Sequence, residues 1–218
     1  MHYIINNCLI KSENAASCTS LTNAKVLEYI SALPNGITVL DYGCGKCRYS
    51  RQLSEKASRL ILVDSEVQIS RKQIIHGAKV SVKEFAELEL KNAKAYTIED
   101  DEWKKVRYDF VLCTNVLSAR PSISERTVVL RNIAHVLKSD GVSLITVQFR
   151  NSYFSTYALG ADSQRHEDGW IVKKGNAYSF YGIIMPDKLV EMCTQAGLEI
   201  VDRFQKDGSI YLLVSKSV

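Results

Sequence analysis

Two acids and two glycines stand out by their spacing. Asp41 precedes Gly43 and Gly45 in the run Val39-Leu-Asp-Tyr-Gly-Cys-Gly-Lys-Cys-Arg48, and Asp64 closes the next apolar run. Glycines one residue apart let a backbone turn sharply and approach a ligand without Cβ interference. A helix opening just after such a turn offers unpaired N–H groups and the positive end of its dipole. A carboxylate ending the neighbouring strand can accept hydrogen bonds from a ribose diol. Other residue types offer less. Cys44-Gly-Lys-Cys47 is a lone CxxC with no second pair to complete a zinc site and no iron–sulfur spacing, so no metal is expected. Arg150, His166, Glu167, Tyr178 and Tyr181 are candidate acid–base or substrate groups, with Arg150, His166 and Tyr178 carried as weak catalytic candidates. His166 could act as a base near neutral pH, against the alternative of a solvated loop histidine. Arg150 could clamp an anionic acceptor or make a surface salt bridge. His76 and His135 fall in helical stretches and are expected at the surface.

The elements that must position these residues alternate. Leu21 to Ala32 has helical spacing and stops at Pro34-Asn35-Gly36; Ile37 to Asp41 is a β-branched run. Arg48 to Ala57 reads as helix and Leu60 to Asp64 as a buried strand. Helical material continues to about Ile75 and again over Lys83 to Leu90, with a weaker strand at Ala95 to Ile98. Tyr108 to Thr114 is a further buried strand. Ser122 with Glu125 spells a capping box for a helix that turns Val128, Leu130, Ile133, Ala134 and Leu137 inward and stops at Asp140-Gly141. Val142 to Val147 is a strand, and Pro186 to Ala196 a helix with Gly197 just past it. Leu198 to Phe204 and Ser209 to Val214 are joined by too few residues for a crossover helix, so they form an antiparallel hairpin. Alternation with continuous apolar strands predicts an α/β, three-layer, doubly wound and mostly parallel sheet whose last strand is antiparallel.

The segment 149–182 fits neither period. Tyr153, Phe154, Tyr157, Trp170, Tyr178, Phe180 and Tyr181 lie there among charged residues. An insertion of that length reads either as a lid or as an extra packing layer or dimer contact. The domain plan is therefore one body over 1–218, with an N-terminal arm and helix over 1–33 and the insertion as a candidate lid. For the arm before residue 21, disorder is the default expectation.

Bulk properties narrow the classes. The 218 residues are 46% hydrophobic and 24% charged, which excludes disorder, collagen-like repeats and a coiled-coil architecture. A net charge of +4 permits an anionic substrate without requiring one, and nucleic acid is not indicated. A chain this long needs no disulfide or metal staple, so the six cysteines are expected as reduced thiols. No basic segment leads into an apolar run at the start and no apolar stretch approaches a membrane span, so a cytoplasmic protein without membrane partners is expected.

Asp41-x-Gly43-x-Gly45 after a strand, Asp64 ending the second, the strand Asp109-Phe-Val-Leu-Cys-Thr-Asn-Val-Leu117 and the closing hairpin together resemble the class I S-adenosylmethionine-dependent methyltransferases, a Rossmann-like family. The likeness runs from about residue 21 to 218, the aromatic insertion apart. It implies a seven-stranded sheet and S-adenosylmethionine as cofactor, with S-adenosylhomocysteine as product. It also implies cofactor contacts at Asp41, Tyr42, Gly43, Gly45, Asp64, Ser65, Thr114 and Asn115. The glycines would lie against the methionine part with Asp41 at that end, Asp64 would hold the ribose, and Thr114 and Asn115 would face the transferred methyl. Asp100 or a neighbour would sit near the adenine, and Asn14 and Ser17 could fold over the cofactor. Lys11 to Ser17 and the Thr-Asn-Val-Leu tip resemble uncharacterised bacterial and phage-borne members. Cys47 replaces the family's usual third glycine, for which a slightly displaced loop is expected.

A nicotinamide dehydrogenase is the rival for the glycine turn, but its third glycine position holds Arg48 here and no second domain follows. The fourth strand ends Thr114-Asn115-Val116-Leu117 rather than in the Asn/Asp-Pro-Pro-Tyr of enzymes methylating exocyclic amines in DNA, and no Pro-Cys pair offers a nucleophile for cytosine. The expected activity is methyl transfer to a small-molecule or nucleotide-type acceptor by in-line displacement. The alternative is a non-catalytic or partner-dependent protein of the same fold using 149–182 as an interaction surface. The acceptor atom, a catalytic base and the oligomeric state stay open.

Overall fold

A computed structural model describes residues 2–16, 19, 21–150 and 152–217. The chain opens with strands β1 (His2–Ile5) and β2 (Cys8–Lys11), a 3₁₀ turn (Ser12–Ala15) and helix α1 (Ala24–Ala32). Then follow β3 (Ile37–Tyr42), α2 (Ser50–Lys56), β4 (Ala57–Asp64), α3 (Glu66–Ser70), β5 (Gln73–Ile75), β6 (Ala78–Val80), α4 (Val82–Glu89) and β7 (Ala93–Thr97). After β8 (Tyr108–Thr114) come a 3₁₀ turn (Leu117–Ala119), α5 (Ile123–Val136) and β9 (Leu137–Gln148). The remainder is α6 (Ser152–Leu159), β10 (Ser163–His166), β11 (Gly169–Lys174), β12 (Ala177–Gly182), α7 (Pro186–Gln195), β13 (Leu198–Lys206) and β14 (Ser209–Lys216).

Seven strands form the main sheet in the order β13-β14-β9-β8-β3-β4-β7, all parallel except β14, which runs antiparallel to both neighbours. The central strands are buried on both faces, which is why their sequences are nearly unbroken apolar runs. Leu40, Val111 and Cys113 pack under α5 and α7, while Val39, Phe110 and Leu112 pack under α1, α2 and α4. Strand β3 has β4 on one side and β8 on the other, so the chain reverses its direction of winding there and leaves a crevice at their carboxyl ends. Among the described residues, no helix is long and apolar enough to cross a membrane.

Several local expectations are corrected. The helix expected to reach Ile75 ends at Ser70, and 73–80 forms a hairpin turning on His76 (φ +45°) and Gly77 (φ +92°). His76 is thus in a turn, its ring stacked on Phe85, and not on a helix surface. The Ser122 capping box does not form: the Ser122 hydroxyl pairs with Ser124 at 2.6 Å, and Glu125 is drawn toward Tyr3 instead. A capping box closes one helix earlier, where Glu84 N donates to Ser81 Oγ at 3.1 Å and Ser81 N to Glu84 Oε2 at 2.8 Å. Helix α5 ends at Val136, because Asp140-Gly141 makes an irregularity within β9, where Tyr108 pairs with Leu137 but Phe110 with Val142. Leu130, Ile133, Ala134 and Leu137 are buried as expected, but Val128 is 54% exposed, and Arg126 and Val129 are buried in addition.

The largest correction concerns the two segments without clear periodicity. The arm expected to be disordered supplies β1 and β2, and the irregular insertion supplies α6 and β10 to β12. They meet in a second sheet of order β1-β2-β12-β11-β10, with β2 and β12 parallel at Ile10 and Tyr178. Its small core is Cys8, Ile10, Ile171 and Phe180. Arg126 of α5, completely buried, clamps the turn between β10 and β11 through a bidentate pair with Asp168. The same guanidinium donates through Nε to the Arg120 carbonyl at 2.8 Å.

Candidate active site

The crevice is floored by the bend between β3 and α2. Gly43 (φ +73°), Gly45 (φ +56°) and Cys47 (φ +57°) alternate in the left-handed region, which two of them enter without a Cβ penalty. Gly43 N and Cys44 N both donate to the Val63 carbonyl, at 2.7 and 3.1 Å, tying the bend to β4. A Cβ on Gly43 would collide with Val116, and one on Gly45 would stand 3.6 Å from Ala16 in the gap between the bend and the N-terminal turn. Cys47 takes up the backbone conformation of the missing third glycine, at a strain of about 1 kcal/mol. Its side chain is buried, and its carbonyl lies 2.9 Å from His76 Nε2. Cys8, Cys44, Cys47, Cys113 and Cys193 are free and buried, whereas Cys18 lies outside the described residues.

The two acids are held differently. Asp41 is 4% exposed and accepts a hydrogen bond from Ser50 Oγ at 2.8 Å. Burial pushes its carboxyl up to about 7; the Ser50 bond and Arg48 oppose the rise, and the nearby Asp64 charge adds to it. Asp64 keeps part of its surface open to the crevice. Its Oδ2 accepts from Gly45 N at 2.9 Å and its Oδ1 from Ser65 N at 2.7 Å, so both oxygens are aimed by backbone N–H groups. Burial raises this carboxyl also, with those two bonds pulling the other way. Gln68 Nε2 donates to the Gly45 carbonyl at 2.5 Å, and Arg71 donates to Gln68 Oε1 and to the Glu13 carbonyl. The N-terminal turn is thereby fastened over the bend. Glu13 is buried, and its carboxyl lies below the ordinary value: burial works to raise it but is outweighed by hydrogen bonds from its own backbone and from His2.

Two cavities occupy this end of the sheet. The first, of about 110 Å³, is lined by Asp41, Gly43, Gly45, Asp64, Thr114 and Asn115 among the expected residues. Glu13, Lys46, Arg48, Gln68 and Arg120 complete its polar wall. The second, of about 300 Å³, shares Ala15, Arg48, Tyr49, Asn115 and Ala119 with the first and continues toward Thr146, Gln148, Phe180, Tyr181 and Tyr211. Asn115 adopts φ +58° at the tip of β8, anchored by its N–H to the Thr146 carbonyl at 2.8 Å, and borders both.

Other expected residues are placed elsewhere. The Tyr42 side chain turns into the core against Trp103 at 5.5 Å, and its hydroxyl accepts from Asn132. Ser65 and Tyr42 border neither cavity. Asp100 is exposed and accepts from Thr97 N; Asn14 is exposed beside the lining residues Glu13 and Ala15; Ser17 lies outside the described residues. Arg150 is exposed, His166 meets Phe180 edge-on at 6.1 Å, and Tyr178 pairs with β2; none borders a cavity, nor does Glu167. Tyr181 alone of the acid–base candidates reaches one. Glu13, Gln68 and Arg120 had no spacing signal. Each reaches the crevice from a separate segment, and Arg120 is held there by the Tyr3 hydroxyl at 3.0 Å.

Comparison with known proteins gives the chain a family. The family described as "Methyltransferase domain" matches residues 18–203. The chain is 36% identical over 214 residues to the uncharacterized protein YmfD of Escherichia coli (strain K12), covering 98% of this chain and 96% of that one. It is 24% identical to the ubiquinone biosynthesis O-methyltransferase of Rickettsia canadensis (strain McKiel), covering 80% of this chain and 69% of the relative. Among solved structures, an S-adenosylmethionine-dependent methyltransferase from Clostridium acetobutylicum ATCC 824 superposes with a TM-score of 0.61 at 14% identity, covering 89% of each chain.

Proposed function

The chain belongs to the class I S-adenosylmethionine-dependent methyltransferases, and from that premise we propose that the first cavity holds the cofactor and the second the methyl acceptor, a small molecule or nucleotide-type compound. Enzyme class and cofactor follow from the family. The assignment of residues is carried by one observation, the Asp64 carboxylate, whose two oxygens are aimed by Gly45 and Ser65 N–H groups at the edge of a glycine-floored cavity. The donor set fits the group. Asp41, Asp64 and Glu13 supply negative charge for a sulfonium and an ammonium, and Arg120 and Lys46 supply positive charge for a carboxylate. Gly45 leaves open the gap that a Cβ would enter.

In this reading Asp64 receives the ribose hydroxyls, the 43–47 bend lies against the amino-acid end, and Asp41 offsets its positive charge. When bound, the cofactor supplies a methyl group already activated by its sulfonium. The chain's part is alignment and exclusion of water. Asn115, Ala119, Tyr49 and Ala15 border both cavities and set the passage between them. The wall of the second cavity includes Phe180 and Tyr181 from the insertion, which favours its role as part of the acceptor site over a surface for protein partners. Native mass spectrometry of the purified protein tests the reading. An adduct of S-adenosylmethionine or S-adenosylhomocysteine that is lost in Asp64→Ala is the expected result; no uptake of either at millimolar concentration contradicts it.

A further inference from the structure

The second cavity has an unusual charge make-up. Among its described lining residues Arg48 is the one charged side chain; the rest are aromatic, amide, hydroxyl and aliphatic groups. Arg48 is half-buried and makes no hydrogen bond or ion pair with the described residues. Its guanidinium carbon lies 5.8 Å from the centroid of the Tyr49 ring, and its charge is felt by the Asp41 carboxyl. Most other guanidiniums of this end of the molecule are engaged: Arg71 on Gln68 and Glu13, Arg120 on Tyr3, Arg126 on Asp168. Arginine stays charged at any pH at which the protein is folded, and its five donors match a carboxylate in a planar fork. A half-buried guanidinium whose donors make no hydrogen bond among the described residues has them available for an anion that enters the cavity.

The remaining wall restricts the anion further. Tyr49, Phe180, Tyr181 and Tyr211 line a space of about 300 Å³ together with amide and hydroxyl groups, which suits a flat ring that also carries polar atoms. Among the described lining residues there is no carboxylate to receive an ammonium, and no histidine, lysine or carboxylate to take a proton, so an acceptor that arrives already deprotonated suits them.

We propose that the methyl acceptor is a planar aromatic or heteroaromatic carboxylic acid, bound as its anion on Arg48 with its ring among the cavity's aromatic side chains; a carboxylate oxygen forms the new O–CH3 bond as the sulfonium's S–CH3 bond breaks, which gives the methyl ester and S-adenosylhomocysteine with no proton to move. This rests on reading the first cavity as the cofactor site. The test uses benzoate and 2-naphthoate as probes, with benzamide and 2-naphthamide as their neutral counterparts. Binding is followed by ligand-observed nuclear magnetic resonance with and without S-adenosylhomocysteine. Each acid is expected to bind at least about tenfold more tightly than its amide, the scale of a charge-assisted hydrogen-bond pair. Arg48→Gln should bring that ratio below about threefold, and Arg48→Lys should keep part of it, both measured at saturating S-adenosylhomocysteine. Equal binding of acids and amides, no binding of any probe, or an acid preference surviving in Arg48→Gln would overturn the proposal. So would a large loss of S-adenosylhomocysteine affinity in Arg48→Gln, which would give Arg48 to the cofactor. Should the unaltered protein bind no S-adenosylhomocysteine, the cofactor reading fails; the acid-to-amide ratio measured without it still decides whether Arg48 selects an anion.

Discussion

The two sheets of this protein are stabilised in different ways. Strands β4 and β8 of the seven-stranded sheet are sealed by helices on both faces, and Leu60 to Val63 and Phe110 to Cys113 are essentially without solvent contact. The five-stranded sheet is built around a small cluster of Cys8, Ile10, Ile171 and Phe180 and leaves Ile4 80% exposed on an edge strand. The first holds itself together by burial. The second joins β1 and β2 to a segment far along the chain and depends on what fixes it to the first, above all Arg126 and Asp168. The candidate site lies where they meet, with the bend and Asp64 on one side and the 3₁₀ turn, Phe180 and Tyr181 on the other.

The contrast can be broken at the joint. Arg126→Ala removes the buried member of the pair and leaves Asp168, about one-third exposed, without it, and should cost on the order of 2 kcal/mol. Its hydrogen-exchange signature is the sharper readout: amides of β10 to β12 should lose protection while those of β3, β4 and β8 keep theirs. Uniform loss across both sheets would show that they unfold as one unit.

Asp41 probes the stable side with the opposite sign. Its carboxyl sits at about 7 in the folded protein and near 4 when unfolded, so the folded state holds a proton that the unfolded state has released across that window. Stability from this group is fully present below the unfolded value and is lost as pH rises through about 7. Asp41→Asn should therefore stabilise the ligand-free protein at pH 8 by on the order of 3 kcal/mol, and by little at pH 4. The same substitution should weaken cofactor binding. Thermal melts at the two pH values check the first claim, and a variant no more stable at pH 8 than at pH 4 refutes the assigned cause.

Alanine at two glycines separates packing from backbone strain. Gly43→Ala meets both a positive φ and Val116, and should cost about 2–3 kcal/mol. Gly175→Ala, in the turn between β11 and β12, has φ +59° and open space, and should cost about 1 kcal/mol. Equal losses in denaturant melts would mean that the bend is not packed against Val116.

The seven-stranded sheet was readable because its strands are continuous apolar runs and its helices carry end signals such as Pro186 and Gly197. The glycine bend and both acids were readable from type and spacing. One helix position was not. Val128 reads as core but is exposed, while Arg126 is buried because Asp168, 42 residues further along the chain, neutralises it. The second sheet escaped for the same reason. Strands of four to six residues with alternating burial carry little period, and pairing between the two ends of a long stretch of chain leaves no local mark. Arg48 was visible as a residue, but its place on the wall of the second cavity is a property of the folded chain alone.

The central claim is that Asp64 and the glycine bend grip the nucleoside end of S-adenosylmethionine. Isothermal titration of S-adenosylhomocysteine into the unaltered protein and into Asp64→Ala tests it most directly. The account predicts binding below millimolar for the former and a loss of at least about tenfold for the latter, the scale of two lost hydrogen bonds to a charged group. Undiminished affinity in Asp64→Ala would contradict it.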